Sequence, residues 1–392
     1  MYSDETNEEL ECGKKMKNQH SELVEKTALS LDQPENINIL FVYYVPSGGV
    51  ETLNRQRSAV LQSHHINPHF LYYEKRRELV NDHGAPTYIT KDVNDLKEIL
   101  AKNNYSALVV TSDFDILPVF RSLGFRGKII LEIQGYGPKS VAKSVLQSAV
   151  PTVMKHADAF LTPKTPHIVE LIDEFYPTVP TFHFNNSFDT KQFGYVPSSE
   201  KNSPIIAWIG RIEDNKNWRE FLQIGKEMIQ YNSNIQLYMY EDPTISTPTE
   251  RNAFNLMIKE LGLEDSLTIH ANVPHEKMAE HFSRIGDSGG FLCSTSKVEG
   301  APLSILEAMS CRCPVLTTDS DGVKSSVIHN QTGKYYTLGN VTEAVEQAKE
   351  LMSNHSSRNA IIKNADSHLQ TSFSPECYGQ NFVKMLHDLG VK

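Results

Sequence analysis

The sequence predicts an α/β protein built from two doubly wound domains with parallel sheets. Three observations carry this expectation. Short apolar runs alternate with helix-length amphipathic segments along most of the chain, the pattern of right-handed βαβ units. The runs are near-continuously apolar, as in 37–45 (INILFVYYV), which suits strands buried on both faces. The polar stretch 197–204 (PSSEKNSP) breaks the series near its middle, and 392 residues suffice for two domains of ordinary size.

Composition narrows the class. Apolar residues make up 39% and charged residues 22%, as in a soluble globular chain, and no apolar run reaches membrane-spanning length. The net charge of −10 argues against a nucleic-acid partner. Residues 1–36 are acidic and polar, without the apolar core of a secretory signal, and are expected to be a disordered or helical extension. Five cysteines form no C-x-x-C pair, so neither a disulfide framework nor a zinc site is expected, and a reducing cytoplasm fits.

The first domain is expected over 37–198. Its opening strand ends in Pro46-Ser47-Gly48-Gly49-Val50-Glu51, and a helix follows over 52–62. Gly48 and Gly49 would let the backbone approach a phosphate, although a tight turn is the plainer reading of these residues alone. Further strands are predicted at 69–73, 107–111, 128–133 and 157–162, with helices at 93–102, 116–123 and 140–156. The last of these helices carries Lys139, Lys143 and Lys155 at or near its ends, which suits a solvated face or contact with a membrane surface.

The second domain is expected over 199–373. It opens with a strand at 205–209, followed by Gly210-Arg211-Ile212-Glu213-Asp214-Asn215-Lys216-Asn217-Trp218. Asn217 reads as the N-cap of a helix over 218–228. Arg211 and Lys216 bracket the strand-to-helix turn, where a bidentate guanidinium and a mobile ammonium would converge on a diphosphate; two surface cations are the plainer alternative. Strands are predicted at 235–240, 267–270 and 290–293, and helices at 249–261, 278–285, 341–352, 356–368 and 374–389.

The densest signal is Glu299-Gly300-Ala301-Pro302-Leu303-Ser304-Ile305-Leu306-Glu307. Pro302 suits the first turn of a helix, where its missing N–H is no loss. Glu299 then lies at the mouth of a cleft and Glu307 inside the helix. The amides near Leu303 and Ser304 would face an anion.

Ser296-Lys297-Val298-Glu299-Gly300-Ala301-Pro302-Leu303, with Glu307-Ala308-Met309, Pro314-Val315-Leu316 and Gly333, resembles the donor site of retaining glycosyltransferases of family 4. The resemblance spans about 37–389 and implies the GT-B fold: two Rossmann-like domains facing across a cleft, with a C-terminal segment, 374–392, crossing back to the first. It implies a nucleoside diphosphate sugar, a UDP-sugar on family frequency, as co-substrate, with no other cofactor and no metal. Glu299, Arg211 and Lys216 would be catalytic. Gly48, Gly49, Gln134, Val273, Gly300, Ala301, Pro302, Leu303, Ser304 and Glu307 would bind the donor, Glu307 through the ribose hydroxyls. A hexose or N-acetylhexosamine would pass to a glycan, lipid-linked, small-molecule or protein acceptor, in the cytoplasm or at the inner face of its membrane.

Three positions depart from the family pattern. Gln134 stands where many members have His, Glu241-Asp242-Pro243 replaces a Gly-rich turn, and Arg312 occupies a usual Gly position. An epimerase, a phosphorylase or a non-catalytic nucleotide-sugar binder are the alternatives on the same fold.

Overall fold

The computed structural model describes residues 36–75, 84–197 and 203–391, and every count below refers to these. All but the last residue of the expected extension 1–36, and the centre of the linker, lie outside them.

The first half runs β1 (Ile37–Tyr43), α1 (Gly49–Ser63), β2 (Ile66–Tyr72), β3 (Thr87–Ile89), α2 (Val93–Asn103) and β4 (Ala107–Thr111). It continues with α3 (Leu117–Ser122), β5 (Lys128–Glu132), α4 (Lys139–His156), β6 (Ala159–Thr162), α5 (Pro166–Phe175) and β7 (Thr181–His183). Its seven strands are all parallel, in the order β3-β2-β1-β4-β5-β6-β7.

The continuous apolar runs are explained by burial on both faces. Along β1, Ile39 and Phe41 point into a core shared with Val60 and Leu61 of α1. Leu40 and Val42 point the other way, into a core with Leu96, Phe120, Leu146 and Ile168 from α2 to α5. Each such side chain contributes about 1.5–3 kcal/mol by leaving water.

The second half repeats the plan. It comprises β8 (Ile205–Ile209), α6 (Trp218–Tyr231), β9 (Gln236–Glu241), α7 (Pro248–Leu261), β10 (Leu267–Ala271), α8 (His275–Asp287) and β11 (Phe291–Ser294). Then come α9 (Leu303–Ser310), β12 (Val315–Thr318), β13 (Lys334–Tyr336), α10 (Val341–Ser353) and α11 (His355–Ser372). Six parallel strands lie in the order β10-β9-β8-β11-β12-β13.

The last helix, α12 (Pro375–Asp388), packs on α1 and sends Phe382, Met385 and Leu386 into the core of the first half. The chain therefore passes between halves twice. The two passages touch: the Phe188 amide donates to the Phe373 carbonyl at 2.8 Å, and Asn185 Nδ2 to the Ser372 carbonyl at 3.2 Å.

Several details differ from the sequence expectation. The three-residue edge strands β3 and β7 and the helix α5 were not predicted, nor were β12 and β13 as strands. Asn217 is not a side-chain N-cap: it adopts a left-handed conformation (φ 51°), and its Nδ2 donates to Glu220 at 2.7 Å. Pro302 precedes α9 as its cap residue rather than sitting in the first turn. Lys139 and Lys143 pair with Glu170 and Glu174 of α5 at 2.6 and 3.1 Å, which neutralises two of the cations that suggested a membrane surface. No helix among the described residues is long and apolar enough to cross a membrane.

Candidate functional site

In each sheet the strand order reverses at its first strand, opening a crevice beyond the carboxyl ends of two neighbours. In the second half these neighbours are β8 and β11, and the loops leaving them carry Arg211, Lys216 and Glu299. The loops are stitched together. Asn215 Nδ2 donates to the Val298 carbonyl at 3.1 Å, the Lys297 amide to the Asn215 carbonyl at 2.8 Å, and Thr295 Oγ1 lies 2.9 Å from the Lys216 and Asn217 carbonyls. Trp208, fully buried in β8, donates its indole N–H to the same Thr295 hydroxyl at 3.1 Å.

This framework brings Lys216 Nζ to 2.6 Å from Glu299 Oε1, across 83 positions of sequence. The carboxylate is 13% exposed and the ammonium 24%, so the pair sits at the crevice wall rather than in bulk solvent. Arg211 is not part of this pair. Its guanidinium is 54% exposed and rests 2.9 Å from Glu213.

The helix α9 starts directly after this loop with no side chain capping its N-terminus, so Leu303 and Ser304 present the positive end of the helix dipole. Glu307, one turn further on, is buried and bonded to a residue that the sequence reading did not single out: His275 Nε2 lies 2.8 Å from Glu307 Oε1. That hydrogen bond raises the His275 pKa, against a smaller opposing effect of desolvation. Arg55 and Glu51 of α1, in the opposite half, also act on the imidazole, Arg55 lowering and Glu51 raising its pKa. His275 opens a helix just beyond the carboxyl end of β10, and that position was the only sequence signal for it.

The first half contributes the Gly48-Gly49 turn and the end of β5. Gly48 has φ 76° and is the cap residue of α1, and a Cβ on either glycine would meet no protein atom within 4 Å. Gln134 is held from both sides. Its Nε2 donates to Glu132 Oε1 at 3.0 Å and Asn186 Oδ1 at 3.2 Å, while its Oε1 accepts from Asn186 Nδ2 at 2.7 Å. Glu132 is itself locked in a fully buried, bidentate pair with Arg57 at 3.1 and 3.0 Å, and accepts from Thr111 Oγ1 at 2.6 Å. The Gln134 amide is thus committed to the protein, and it is the backbone of Gln134 and Gly135 that faces the other half.

The two halves meet at Gly300. Its carbonyl accepts from Thr165 Oγ1 at 2.9 Å, and a Cβ there would fall 2.1 Å from the Gln134 carbonyl oxygen. Behind the same loop, a Cβ on Gly322 would fall 2.0 Å from the Glu299 carbonyl oxygen. Ala301 and Pro302 continue this loop to the start of α9, and Val273 and Leu303 each pack against the apolar core of the second half.

The departures from the family pattern have local explanations. Glu241 ends β9 in a bidentate pair with Arg251 of α7 at 2.9 and 2.5 Å. Arg312 adopts a left-handed backbone (φ 57°), the conformation glycine takes most easily, and its guanidinium stacks 4.2 Å from the Tyr195 ring centroid. Asp113, first of an Asp-x-Asp pair in the first half, accepts from the Tyr73 hydroxyl at 2.8 Å and from the Asp115 amide at 3.1 Å.

Residues 194–368 match the family of glycosyl transferases group 1. Among curated proteins, the chain is 20% identical over 205 residues to the 2-deoxystreptamine N-acetyl-D-glucosaminyltransferase of Niallia circulans, covering 52% of this chain and 50% of that one. It is 22% identical over 188 residues to the alpha-D-kanosaminyltransferase of Streptomyces kanamyceticus, covering 48% and 46%. The chain spans about half the length of these curated relatives. Among solved structures, Anabaena HepE in complex with UDP and glucose superposes with TM-score 0.76 at 16% identity, covering 90% of this chain and all of that one. A sucrose-phosphate synthase from Thermosynechococcus elongatus superposes equally well, at 16% identity and over 90% and 99% of the two chains. These superpositions identify the fold as GT-B, the two-sheet arrangement described above. Residues 194–368, the segment that matches the glycosyl transferases group 1 family, build the stitched loops and carry both glutamates.

Proposed function

We propose that the protein is a retaining glycosyltransferase that moves a hexose or N-acetylhexosamine from a UDP-sugar to an acceptor hydroxyl. The observation that carries this reading is the Lys216–Glu299 pair at 2.6 Å, beside the uncapped N-terminus of α9. Departure of a nucleoside diphosphate demands cationic and amide donors where negative charge develops. Lys216, Arg211 and the amides of Leu303 and Ser304 are those donors, and in this proposal they do the neutralising work without a metal ion.

As the diphosphate takes the Lys216 ammonium, Glu299 is released towards the sugar. There it orients hydroxyls and stabilises positive charge on the anomeric carbon. The acceptor oxygen bonds to that carbon on the face the diphosphate leaves, and the acceptor proton passes to the departing phosphate oxygen. The configuration is retained. Glu307 holds the ribose hydroxyls, the backbone beside Val273 the base, and the open Gly48-Gly49 turn the diphosphate from the opposite half. The names of the curated relatives, transferring N-acetylglucosaminyl and kanosaminyl groups, support an amino sugar or hexose, and the HepE complex supports uridine. The acceptor is a hydroxyl on a glycan, a lipid-linked sugar, a small molecule or a protein.

UDP release from UDP-glucose and UDP-N-acetylglucosamine, with and without acceptor pools, tests the reading. Lys216→Met and Glu299→Gln should each lower turnover by about 100-fold or more, and Glu307→Gln should raise KM for the donor. Wild-type turnover in Lys216→Met would sink the assignment.

A further inference from the structure

We propose that His275 is a positioning residue for Glu307 and makes binding of the nucleotide-sugar proton-linked. The inference rests on the reading above that Glu307 receives the nucleotide.

The geometry is specific. His275 Nε2 holds Glu307 Oε1 at 2.8 Å, and among the described residues no protein donor reaches Oε2. One carboxylate oxygen is therefore anchored and the other is free for a ligand. The imidazole is itself oriented by the Phe193 ring, whose centroid lies 5.1 Å away. Phe193 is fixed in turn by contacts with Phe188 and Phe282 and by the Ser310 hydroxyl, which donates to its carbonyl. Ser310 belongs to α9, the helix that carries Glu307, so anchor and anchored group share one rigid support.

The charges facing the imidazole are few. Glu307 comes from α9; Arg55 and Glu51 come from α1 and are paired with each other at 2.8 Å. On its own helix, Glu276 follows in the first turn, and the helix N-terminus disfavours the proton. Phe193 brings no charge. Neutral His275 donates one ordinary hydrogen bond to Glu307, whereas the imidazolium donates a charge-assisted one. The protonated form therefore holds the carboxylate more firmly. It also cancels a negative charge at the place where an anionic diphosphate sugar must arrive. Coupling is reciprocal: if the proton favours the nucleotide, the nucleotide favours the proton.

The test is calorimetric titration of the full chain with UDP-glucose and UDP-N-acetylglucosamine, whose diphosphate diesters do not titrate near neutrality. It runs from about pH 6 to about pH 8.5, across the ordinary histidine range, in buffers of different ionisation enthalpy. Wild type should lose affinity roughly three- to tenfold over that range and take up a fraction of a proton on binding, the size expected for one charge-assisted hydrogen bond. His275→Gln keeps a donor for Glu307 but cannot titrate. It should bind within about threefold of wild type at neutral pH, with a flat pH profile and no proton uptake. His275→Phe should lose about tenfold at all pH values.

Proton uptake persisting in His275→Gln, or wild-type affinity in His275→Phe at every pH, overturns the proposal. Glu307→Gln separates the two levels of argument. If it weakens binding while the His275 variants do not, only the role of His275 fails. If it binds like wild type, or if wild type binds neither sugar nucleotide, the donor site itself has been misplaced and the proposal falls with it. Melting curves followed by emission of Trp208 and Trp218, both fully buried, show that each variant is folded.

Discussion

Gly300→Ala probes the seam between the two halves with a single methyl group. The added carbon would stand 2.1 Å from the Gln134 carbonyl oxygen, whereas ordinary contact begins near 3.4 Å, a shortfall of about 1.3 Å. The loop cannot retreat, because Gly322 already lies against the Glu299 and Gly300 carbonyls on its other side. Nor can Gln134 yield easily, since its side chain is bonded to Glu132 and Asn186 and it stands only two residues past the end of β5. The cheapest relief is to part the halves. Overpacking of this kind costs about 1–3 kcal/mol, and parting at the surface should keep it near the lower bound. Turnover should suffer more, because displacing a positioned group by about 1 Å costs on the order of 100-fold in rate. The assay pairs UDP-sugar turnover with thermal melting. Melting within a few degrees of wild type together with a drop in turnover of 30-fold or more, as an order-of-magnitude expectation, bears out the argument. Turnover within about threefold of wild type would show that the seam is not closed during catalysis, and would refute it.

Three other outcomes are expected. Glu132→Leu leaves the fully buried Arg57 guanidinium without its carboxylate, so the urea midpoint should fall by the equivalent of about 3–5 kcal/mol, and Arg57→Met in the same chain should recover part of this. Because the folded pKa of His275 is raised by Glu307, the stability from that pair is fully present below the unfolded histidine pKa and is lost as pH rises through the folded value. The wild-type melting temperature should accordingly decline over that window relative to Glu307→Gln, and parallel profiles would count against the pair. Burial pushes the Cys311 and Cys313 thiols up to about 12 and raises Cys293 further, so a thiol reagent at mildly alkaline pH should label none of the three until the chain unfolds.

Much of this was legible in the sequence, because strands buried on both faces write themselves as continuous apolar runs. β1, β4 and β5 are of this kind, and each was predicted within about two residues. The edge strands β3 and β7 were not legible. They have three residues each and only intermediate burial, so neither periodicity nor composition marks them. Helix α9 was found from Gly300 and Pro302, but its start shifted by one residue because Pro302 keeps extended backbone angles. At the site, the family resemblance singled out Lys216 and Glu299, yet nothing local could pair two positions 83 apart. Gln134 entered the donor set through the resemblance alone, and only the fold reveals Glu132 and Asn186 holding its amide. His275 carried no motif at all, since its role depends on which helix start lies beside α9.

The double passage of the chain between halves has a mechanical consequence. Two segments joined side by side, at Phe188–Phe373 and Asn185–Ser372, behave as two leaves on one pin. Such a joint permits rocking about a single axis but resists sliding and twisting. Under the function proposed above, closing about this axis would bring the Gly48-Gly49 turn towards the sugar nucleotide along one arc. Cutting the return passage would free every other direction and also strip Phe382, Met385 and Leu386 from the core they fill. The return passage thus serves as the bearing, and the helix that follows it as the plug.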